Sequence, residues 1–436
     1  MSAEHVGDQV RVFTEQGEFE GVLMPSYKDS LVVIKLDSGY NRAFLKKNVK
    51  KITVHEVYKQ HAEKVVEEKQ RSGLPTIAVL HTGGTIASKV DYRTGGVVAR
   101  FSPTELIEMF PELKDMVNVR SRLISNMWSE DMRFDHYNGI AKAIEDEVKL
   151  GCRGVIITHG TDTLHYTAAA LSFIFESLPV PIILVGAQRS SDRGSSDAGM
   201  NLLCAARFII ETDFAGVALC MHESSEDVNC VILPGTNARK LHTSRRDAFK
   251  VVNGLPWALV SYADKTVSWL RKDWPHQEKG KEVRMLLFDK NCKVGLLKAH
   301  PHMYTQEFEV YKGFDGLVIE GFGVGGHLPI NVIDPYTKEH GQISNMIAEL
   351  VKKDVVVALS SQTVYGRINM NVYSTGRDLM AMGIIGDYCD MTAETAFVKL
   401  AWLLSNYSKS EVKKLFGKNL RDEISKRTMV DDGVEW

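Results

Sequence analysis

Three short segments of this 436-residue sequence combine glycine with hydroxyl and charged side chains, and each follows an apolar run. They are HTGGT (81–85), HGTDT (159–163) and TNARKLHT (236–243). Within them, the side chains that could act together are Thr85, Thr161, Asp162 and Lys240. A threonine hydroxyl becomes a nucleophile when a base such as a desolvated lysine takes its proton, and backbone N–H groups of a glycine turn stabilise an oxyanion. The pattern indicates acyl transfer to a threonine oxygen, followed by hydrolysis of the ester.

Each of these side chains also has a purely structural interpretation. Thr161 and Asp162 could cap a helix that begins near Thr163. Lys240 lies beside Arg239 in the sequence and could belong to a solvated loop. The chemical interpretation gains weight only if the three segments meet in space.

The elements around the segments predict such a meeting. The runs IAVL, GVIIT and PIILV have the length and composition of strands buried on both faces. Helical patterns follow from Asp135, from Leu164 and from Ala198 to Glu211. This alternation predicts a doubly wound parallel sheet, in which the loops at the carboxyl ends of the strands share one edge and bind ligands there.

The predicted fold class is α/β, with four parts along the chain. Residues 1–55 form a small all-β barrel of the SH3-like or Sm-like kind, because short alternating runs are separated by turns. Residues 56–73 form a charged helical linker, residues 74–275 the large α/β domain with the active site, and residues 290–436 a smaller α/β domain. A basic stripe from Arg42 to Lys51 could meet RNA phosphates or a partner protein, although a solvated rim is the favoured interpretation.

Composition excludes several broad classes. The formal net charge of -2 gives no overall field that would attract nucleic acid or an anionic membrane. The sequence shows no export signal and no membrane-spanning run, so we expect a cytoplasmic protein without membrane contact. Six scattered cysteines without a C-x-x-C pair fit free thiols in a reducing compartment.

Two apparent ligand motifs are weak. Cys220, His222 and Cys230 have irregular spacing, so we predict no metal in this chain. The run GFGVGG (321–326) has the spacing of a dinucleotide motif, but HLPINV follows it where a helix is required. No P-loop is present, and we therefore expect no cofactor in this chain.

Taken together, HTGGTIA, HGTDT and ARKLHT resemble the bacterial-type L-asparaginase family from about Leu74 to the C-terminus. The resemblance implies an active site at a homodimer contact without a metal. It makes Thr85 the primary nucleophile, assisted by Tyr92 from a glycine-bearing lid, with Thr161, Asp162 and Lys240 as the other catalytic residues. The residues that it implies for substrate binding are Ser129, Asp162 and Gly84.

The extra barrel and linker depart from free-standing asparaginases, as does the run GAQRSSDRGSSDAGMNL after the third strand. These features resemble the asparaginase-like subunits of archaeal glutamyl-tRNA(Gln) amidotransferases, which are carbon–nitrogen ligases with glutamine as amide donor. The resemblance implies ammonia release from Gln or Asn, and a heterotetramer of the homodimer with a transamidase/kinase subunit. That partner would hold most of the tRNA and use ATP and Mg²⁺. The alternatives are an autonomous cytoplasmic L-asparaginase and a non-catalytic RNA-binding scaffold.

Overall fold

The computed structural model of the chain describes residues 5, 7–24, 26, 28, 30–36, 41–56, 71–83, 89–90, 97–98, 110–189, 195–324 and 326–428. The strands of the first half are β1 (Gln9–Thr14), β2 (Gly17–Met24), β3 (Leu31–Lys35), β4 (Asn41–Leu45), β5 (Val49–Glu56), β6 (Thr76–His81), β7 (Lys89–Val90), β8 (Val97–Val98), β9 (Asn118–Leu123), β10 (Gly154–Thr158), β11 (Phe175–Ser177) and β12 (Ile182–Val185). Those of the second half are β13 (Val217–His222), β14 (Asn229–Pro234), β15 (Ala238–Lys240), β16 (Phe249–Val251), β17 (Ala258–Ser261), β18 (Thr266–Trp269), β19 (Arg284–Met285), β20 (Val294–Lys298), β21 (Gly316–Gly321) and β22 (Val356–Ser361).

The described α-helices are α1 (Phe134–Lys149), α2 (Leu164–Ile174), α3 (Ala198–Glu211), α4 (Gln306–Glu309), α5 (Lys338–Lys352), α6 (Ser374–Ala381), α7 (Ala393–Asn406) and α8 (Lys409–Leu415). Short 3₁₀ turns span Lys46–Asn48, Pro111–Asp115, Ser129–Asp131, Val310–Gly313 and Pro335–Thr337. Within the described parts of the chain, no helix is both long enough and apolar enough to cross a bilayer.

The N-terminal strands form an antiparallel sheet in the order β4-β3-β2-β1-β5 around Val10, Val12, Val32, Ile34 and Phe44. Its outermost strands, β4 and β5, are joined only by Lys46–Asn48. Five flat strands at about 4.8 Å spacing would place these edges about 19 Å apart, whereas four residue steps span at most about 14 Å. The sheet is therefore curled, and its two edges approach each other at this turn. Strand β4, which lies within the basic stripe, was not predicted from the sequence.

The central sheet has the order β18-β17-β14-β13-β12-β10-β6-β9. Strands β9, β6, β10, β12 and β13 run parallel to one another. Ala78 and Leu80 of β6 pack on the face covered by α1, α2 and α7, while Ile77 and Val79 pack on the face covered by α3. Helices on both faces explain why these strands are apolar throughout.

The predicted fold class is confirmed, with two differences in detail. Strands β14, β17 and β18 are antiparallel to their neighbours, because short connections without a helix reverse the chain after β13. The C-terminal sheet β20-β21-β22 is parallel, as expected. The sequence pattern also predicts one helix over residues 409–426, but α8 ends at Leu415.

The chain beyond α8 instead wraps around a buried lysine. Lys399 of α7 is fully buried and pairs with the equally buried Glu423 at 2.6 Å. Its Nζ also donates hydrogen bonds to the carbonyls of Phe416 (2.7 Å) and Lys418 (2.6 Å). A continuous helix through residue 426 would not present these groups to the ammonium. Burial lowers the pKa of Lys399, whereas Glu423 opposes that shift.

We expect Lys399→Met to lower the free energy of unfolding by about 3–5 kcal/mol, because it leaves Glu423 buried without its partner. The double variant Lys399→Met/Glu423→Gln should recover part of the loss, since it removes the uncompensated charge. Urea unfolding of the three proteins measures both effects. Lys409→Met is the matched control, because the Lys409–Asp354 pair at 3.2 Å is partly exposed and should contribute at most about 1 kcal/mol. Equal losses in the two single variants would contradict the prediction.

Candidate active site

Parallel pairing of β6 and β10 places the first two segments side by side. His81 lies opposite Thr158 in the sheet register, so HTGGT and HGTDT leave the same edge on adjacent strands. The backbone N–H of Thr82 donates to the carbonyl of Thr158 at 3.1 Å, which continues the pairing into the loops. The third segment reaches this edge through β15, which pairs with β16 in a separate hairpin.

Lys240 at the end of β15 connects the third segment to the second. Its Nζ lies 2.8 Å from Thr161 Oγ1 and 2.8 Å from Asp162 Oδ1. The Lys240 side chain is only 11% exposed, whereas that of Asp162 is 69% exposed. The ammonium group is thus held between a hydroxyl and a carboxylate that opens to solvent. This arrangement can transfer protons between the hydroxyl and the lysine, and the solvated-loop interpretation of Lys240 is wrong.

The capping interpretation of Thr161 and Asp162 is also wrong. The N-cap residue of α2 is Thr163, and no side chain caps the helix there. The hydroxyl of Thr163 instead donates to the carbonyl of Ser129 at 2.6 Å. Thr161 and Asp162 are therefore directed to Lys240 and not to the backbone of α2.

Ser129 is brought to the same place by close backbone packing. The residue is buried and begins the 3₁₀ turn Ser129–Asp131. A Cβ on Gly160 would lie 2.9 Å from Ser129 Cβ and 3.0 Å from its hydroxyl oxygen. Only glycine allows the 159–163 loop to approach Ser129 so closely. The structure thus brings Ser129, Thr161, Asp162 and Lys240 together, and their individual roles stay a prediction.

Gly83 has a similar function in the first loop. Its φ of +115° favours glycine, and a Cβ there would lie 2.3 Å from the carbonyl oxygen of Met127. This contact fixes the position of the loop at Gly83. The remaining residues of the prediction, Thr85, Gly84 and Tyr92, lie outside the described residues. So does most of the proposed lid, of which the structure describes only the hairpin β7–β8, with Lys89 opposite Val98 and Val90 opposite Val97.

Two buried histidines, at the ends of the strands that carry the loops, hold the loops in place through hydrogen bonds. His81 shares hydrogen bonds with Thr158 Oγ1 (2.8 Å) and Ser121 Oγ (2.9 Å). His159 contacts Thr167 Oγ1 at 2.8 Å and the carbonyl of Gly160 at 2.7 Å. Burial lowers the pKa of both imidazoles to about 4, so they are neutral near pH 7 and serve as fixed hydrogen-bonding groups.

The contacts that hold β15 were not predicted from the sequence. Arg239 pairs at 2.9 Å with Glu394 in the first turn of α7. Thr395 Oγ1 donates to the carbonyl of Thr236 at 2.7 Å. Both contacts join the strand that carries Lys240 to the C-terminal domain. No local sequence pattern signals them, because they depend on tertiary packing between distant segments.

The described residues contain no cluster of three or more groups suited to a metal. His222 is used structurally: its ring nitrogens lie 2.7 Å from Asn201 Oδ1 and 3.1 Å from Asp227 Oδ1. Cys230 Sγ also contacts Asn201 Oδ1, at 3.4 Å. All six cysteines are free thiols.

Three sequence families match consecutive parts of the chain. Residues 76–274 match "Asparaginase, N-terminal", and residues 293–416 match "Glutaminase/Asparaginase C-terminal domain". Residues 5–54 match "GatD N-terminal domain". The asparaginase resemblance inferred from the three motifs is confirmed.

Similarity to curated proteins extends over nearly the whole chain. The D-type subunit of the glutamyl-tRNA(Gln) amidotransferase of Pyrococcus furiosus is 43% identical over 437 residues, which cover 97% of this chain and 95% of that protein. This chain belongs to the GatD family. The corresponding protein of Archaeoglobus fulgidus is 42% identical over 431 residues, covering 98% of this chain and 97% of its own. The family therefore includes the N-terminal sheet as well as the asparaginase-like domains.

Solved structures of L-asparaginases share the fold of the larger part. The thermostable L-asparaginase from Thermococcus kodakarensis superimposes with a TM-score of 0.69 at 27% identity, covering 81% of this chain and 100% of its own. L-asparaginase I from Vibrio cholerae gives a TM-score of 0.66 at 27% identity, with 81% of this chain and 99% of its own covered. This chain therefore contains a complete asparaginase fold and, in addition, the N-terminal region of the GatD family.

Proposed function

We propose that this chain is the amide-hydrolysing GatD subunit of a glutamyl-tRNA(Gln) amidotransferase, which releases ammonia from glutamine or asparagine. The single observation that carries the proposal is similarity to curated proteins of this family over 97% of the chain. The Thr161–Asp162–Lys240 arrangement supplies the chemistry that such a protein requires.

In the proposed reaction, a threonine oxygen attacks the side-chain amide carbon and forms an ester, while the carbon–nitrogen bond breaks and the amide nitrogen gains a proton and leaves as ammonia. Thr85 is the proposed nucleophile, on the strength of the motif TGGTIA, with Tyr92 assisting it. Lys240 acts as the neutral amine: it takes the proton of the nucleophile through Thr161 and returns it to the departing amide nitrogen, and Asp162 orients the ammonium group that forms in between. Water then cleaves the ester and regenerates the hydroxyl. Ser129 and Gly84, with Asp162, hold the amino-acid end of the substrate.

Other subunits carry out the remaining chemistry in this proposal. Two copies of this chain combine with two copies of a transamidase/kinase subunit in a heterotetramer, and that subunit holds most of the tRNA(Gln). It also uses ATP and Mg²⁺ to activate the glutamyl group, so this chain needs no cofactor of its own. We place the complex in the cytoplasm, where its free cysteines remain reduced.

The decisive experiment is co-purification of the chain with its partner from the native source, followed by an amidation assay. With glutamyl-tRNA, ATP and glutamine, we expect Gln-tRNA formation to match glutamine hydrolysis. The isolated chain should hydrolyse glutamine only weakly and should gain activity with the partner and glutamyl-tRNA. Rapid hydrolysis of free asparagine by the isolated chain, without any tRNA amidation by the complex, would instead support an autonomous L-asparaginase.

A further inference from the structure

The N-terminal sheet carries a polarised charge distribution that the amide-hydrolysing site does not use. We define the basic turn as Arg42, Lys46, Lys47, Lys50 and Lys51, at the end of β4 and the start of β5. Residues 41–55 contain no aspartate or glutamate, although the whole chain has a net charge of -2. Two acidic groups of the same sheet, Glu18 and Glu20, are paired with Arg11.

The curl of the sheet concentrates these cations. Because β4 and β5 are opposite edges joined by Lys46–Asn48, the basic residues of both edges lie close to this turn. A backbone hydrogen bond of 2.8 Å from the Lys46 N–H to the carbonyl of Ser30 holds the turn against the loop before β3. The basic turn is therefore a fixed part of the sheet.

The lysines of the basic turn are available to a ligand. All four are exposed. Within the described part of the chain, only Lys50 has an ion pair, with Glu15 at 3.8 Å, and both partners are more than half exposed. Such a pair is weak and easily replaced by another anion. The guanidinium of Arg42 lies 3.7 Å above the centre of the Phe19 ring, which orients the group without neutralising its charge.

The composition of this surface favours the phosphate backbone of a nucleic acid over a protein as its ligand. Protein interfaces are depleted in lysine at their centres and are built on aromatic and apolar anchors. Lysine and arginine side chains that contact successive phosphates are the usual sequence-independent means of holding a nucleic acid. We propose that the basic turn binds the sugar–phosphate backbone of the tRNA substrate, as a second contact besides those made by the partner subunit. This inference rests on the proposed function, because that function supplies the tRNA.

The test uses the complete complex with its partner and measures binding of tRNA(Gln) by fluorescence anisotropy over a range of salt concentrations. We expect the variant K46Q/K47Q/K50Q/K51Q to bind about tenfold more weakly at low salt. Since each phosphate contact contributes about 0.7–0.9 to the slope of log K against log salt, the slope should fall by about 3. The KM for glutamyl-tRNA should rise, while kcat and glutamine hydrolysis remain unchanged.

Two matched variants distinguish contact with phosphate from a general charge effect. K46R/K47R/K50R/K51R keeps the charge and should bind tRNA as the unaltered complex does. K352Q/K353Q/K413Q/K414Q removes four exposed lysines from the C-terminal domain and should leave the salt slope unchanged. An unchanged affinity and slope in the basic-turn variant, or the same loss in the C-terminal variant, would overturn the inference. Binding is read without catalysis, so a complex that binds tRNA through the basic turn but forms no Gln-tRNA would count against the proposed function alone.

Discussion

Replacement of Lys240 by methionine is expected to lower glutamine hydrolysis by about 10³-fold, because positioned proton transfer contributes about 10²–10⁴-fold to such reactions. Methionine keeps most of the volume of the lysine side chain but removes the group that lies 2.8 Å from both Thr161 Oγ1 and Asp162 Oδ1. Folding should change little. The carboxylate left without its partner is 69% exposed and remains solvated.

The assay compares two nitrogen sources in the complex with the partner subunit. With glutamine as donor, the Lys240→Met complex should form almost no Gln-tRNA. With ammonium chloride as donor, it should amidate at the unaltered rate, since ammonia bypasses this chain. Lys250→Met is the matched control: Lys250 lies opposite Arg239 on β16, and its Nζ contacts the Glu223 carbonyl and Asp247, neither of which is a predicted site residue. Loss of the ammonium-driven reaction, or glutamine hydrolysis retained above about one tenth, would exclude the role given to Lys240.

The Lys240 site shows which part of the arrangement can be read from sequence. The alternation of apolar runs with amphipathic segments is a local signal, and it located α3 correctly at Ala198–Glu211. The rule that parallel strands end on a common edge predicted that Thr161 and Lys240 would meet, and the two side chains do meet. Lys240 reaches that edge, however, through the separate hairpin β15–β16 and not at the end of a parallel strand. The wrong expectation of an all-parallel sheet arose at β14, where a short connection replaces a helix and reverses the strand direction.

Other features have no local signal. Arginine and lysine side chains are mostly exposed to solvent in folded proteins. Arg239, however, holds the Lys240 strand through Glu394, and Lys399 is fully buried. The charge of each is compensated by a residue distant in sequence, and only the folded chain shows the pairing. Gly160 is similar: the letters HGTDT reveal a glycine, but its contact with Ser129 depends on the position of another loop.

Acid should unfold this protein through its buried histidines. Burial lowers the pKa of His81, His159 and His165 from 6.5 to about 4. Between those values the unfolded chain takes up protons that the folded protein does not, so the free energy of unfolding decreases as the pH falls. Since one pKa unit corresponds to about 1.36 kcal/mol, each histidine contributes about 3 kcal/mol to the loss, or about 10 kcal/mol together. That sum is comparable with the total stability of a typical domain, about 5–15 kcal/mol.

The expected result is full stability above pH 6.5, the ordinary value of the imidazole, and a steep decline towards about pH 4. Asp390 and Glu320 act in the opposite direction, because burial raises the pKa of both carboxyl groups, but they are two groups against three. Urea unfolding at several pH values between 4 and 6.5 measures the slope of the free energy of unfolding against pH. His165→Gln should remove about a third of it, since one of three titrating groups is lost, whereas His302→Gln should leave it unchanged because His302 is exposed. A slope that the two substitutions reduce equally would show that the buried imidazoles do not control acid unfolding.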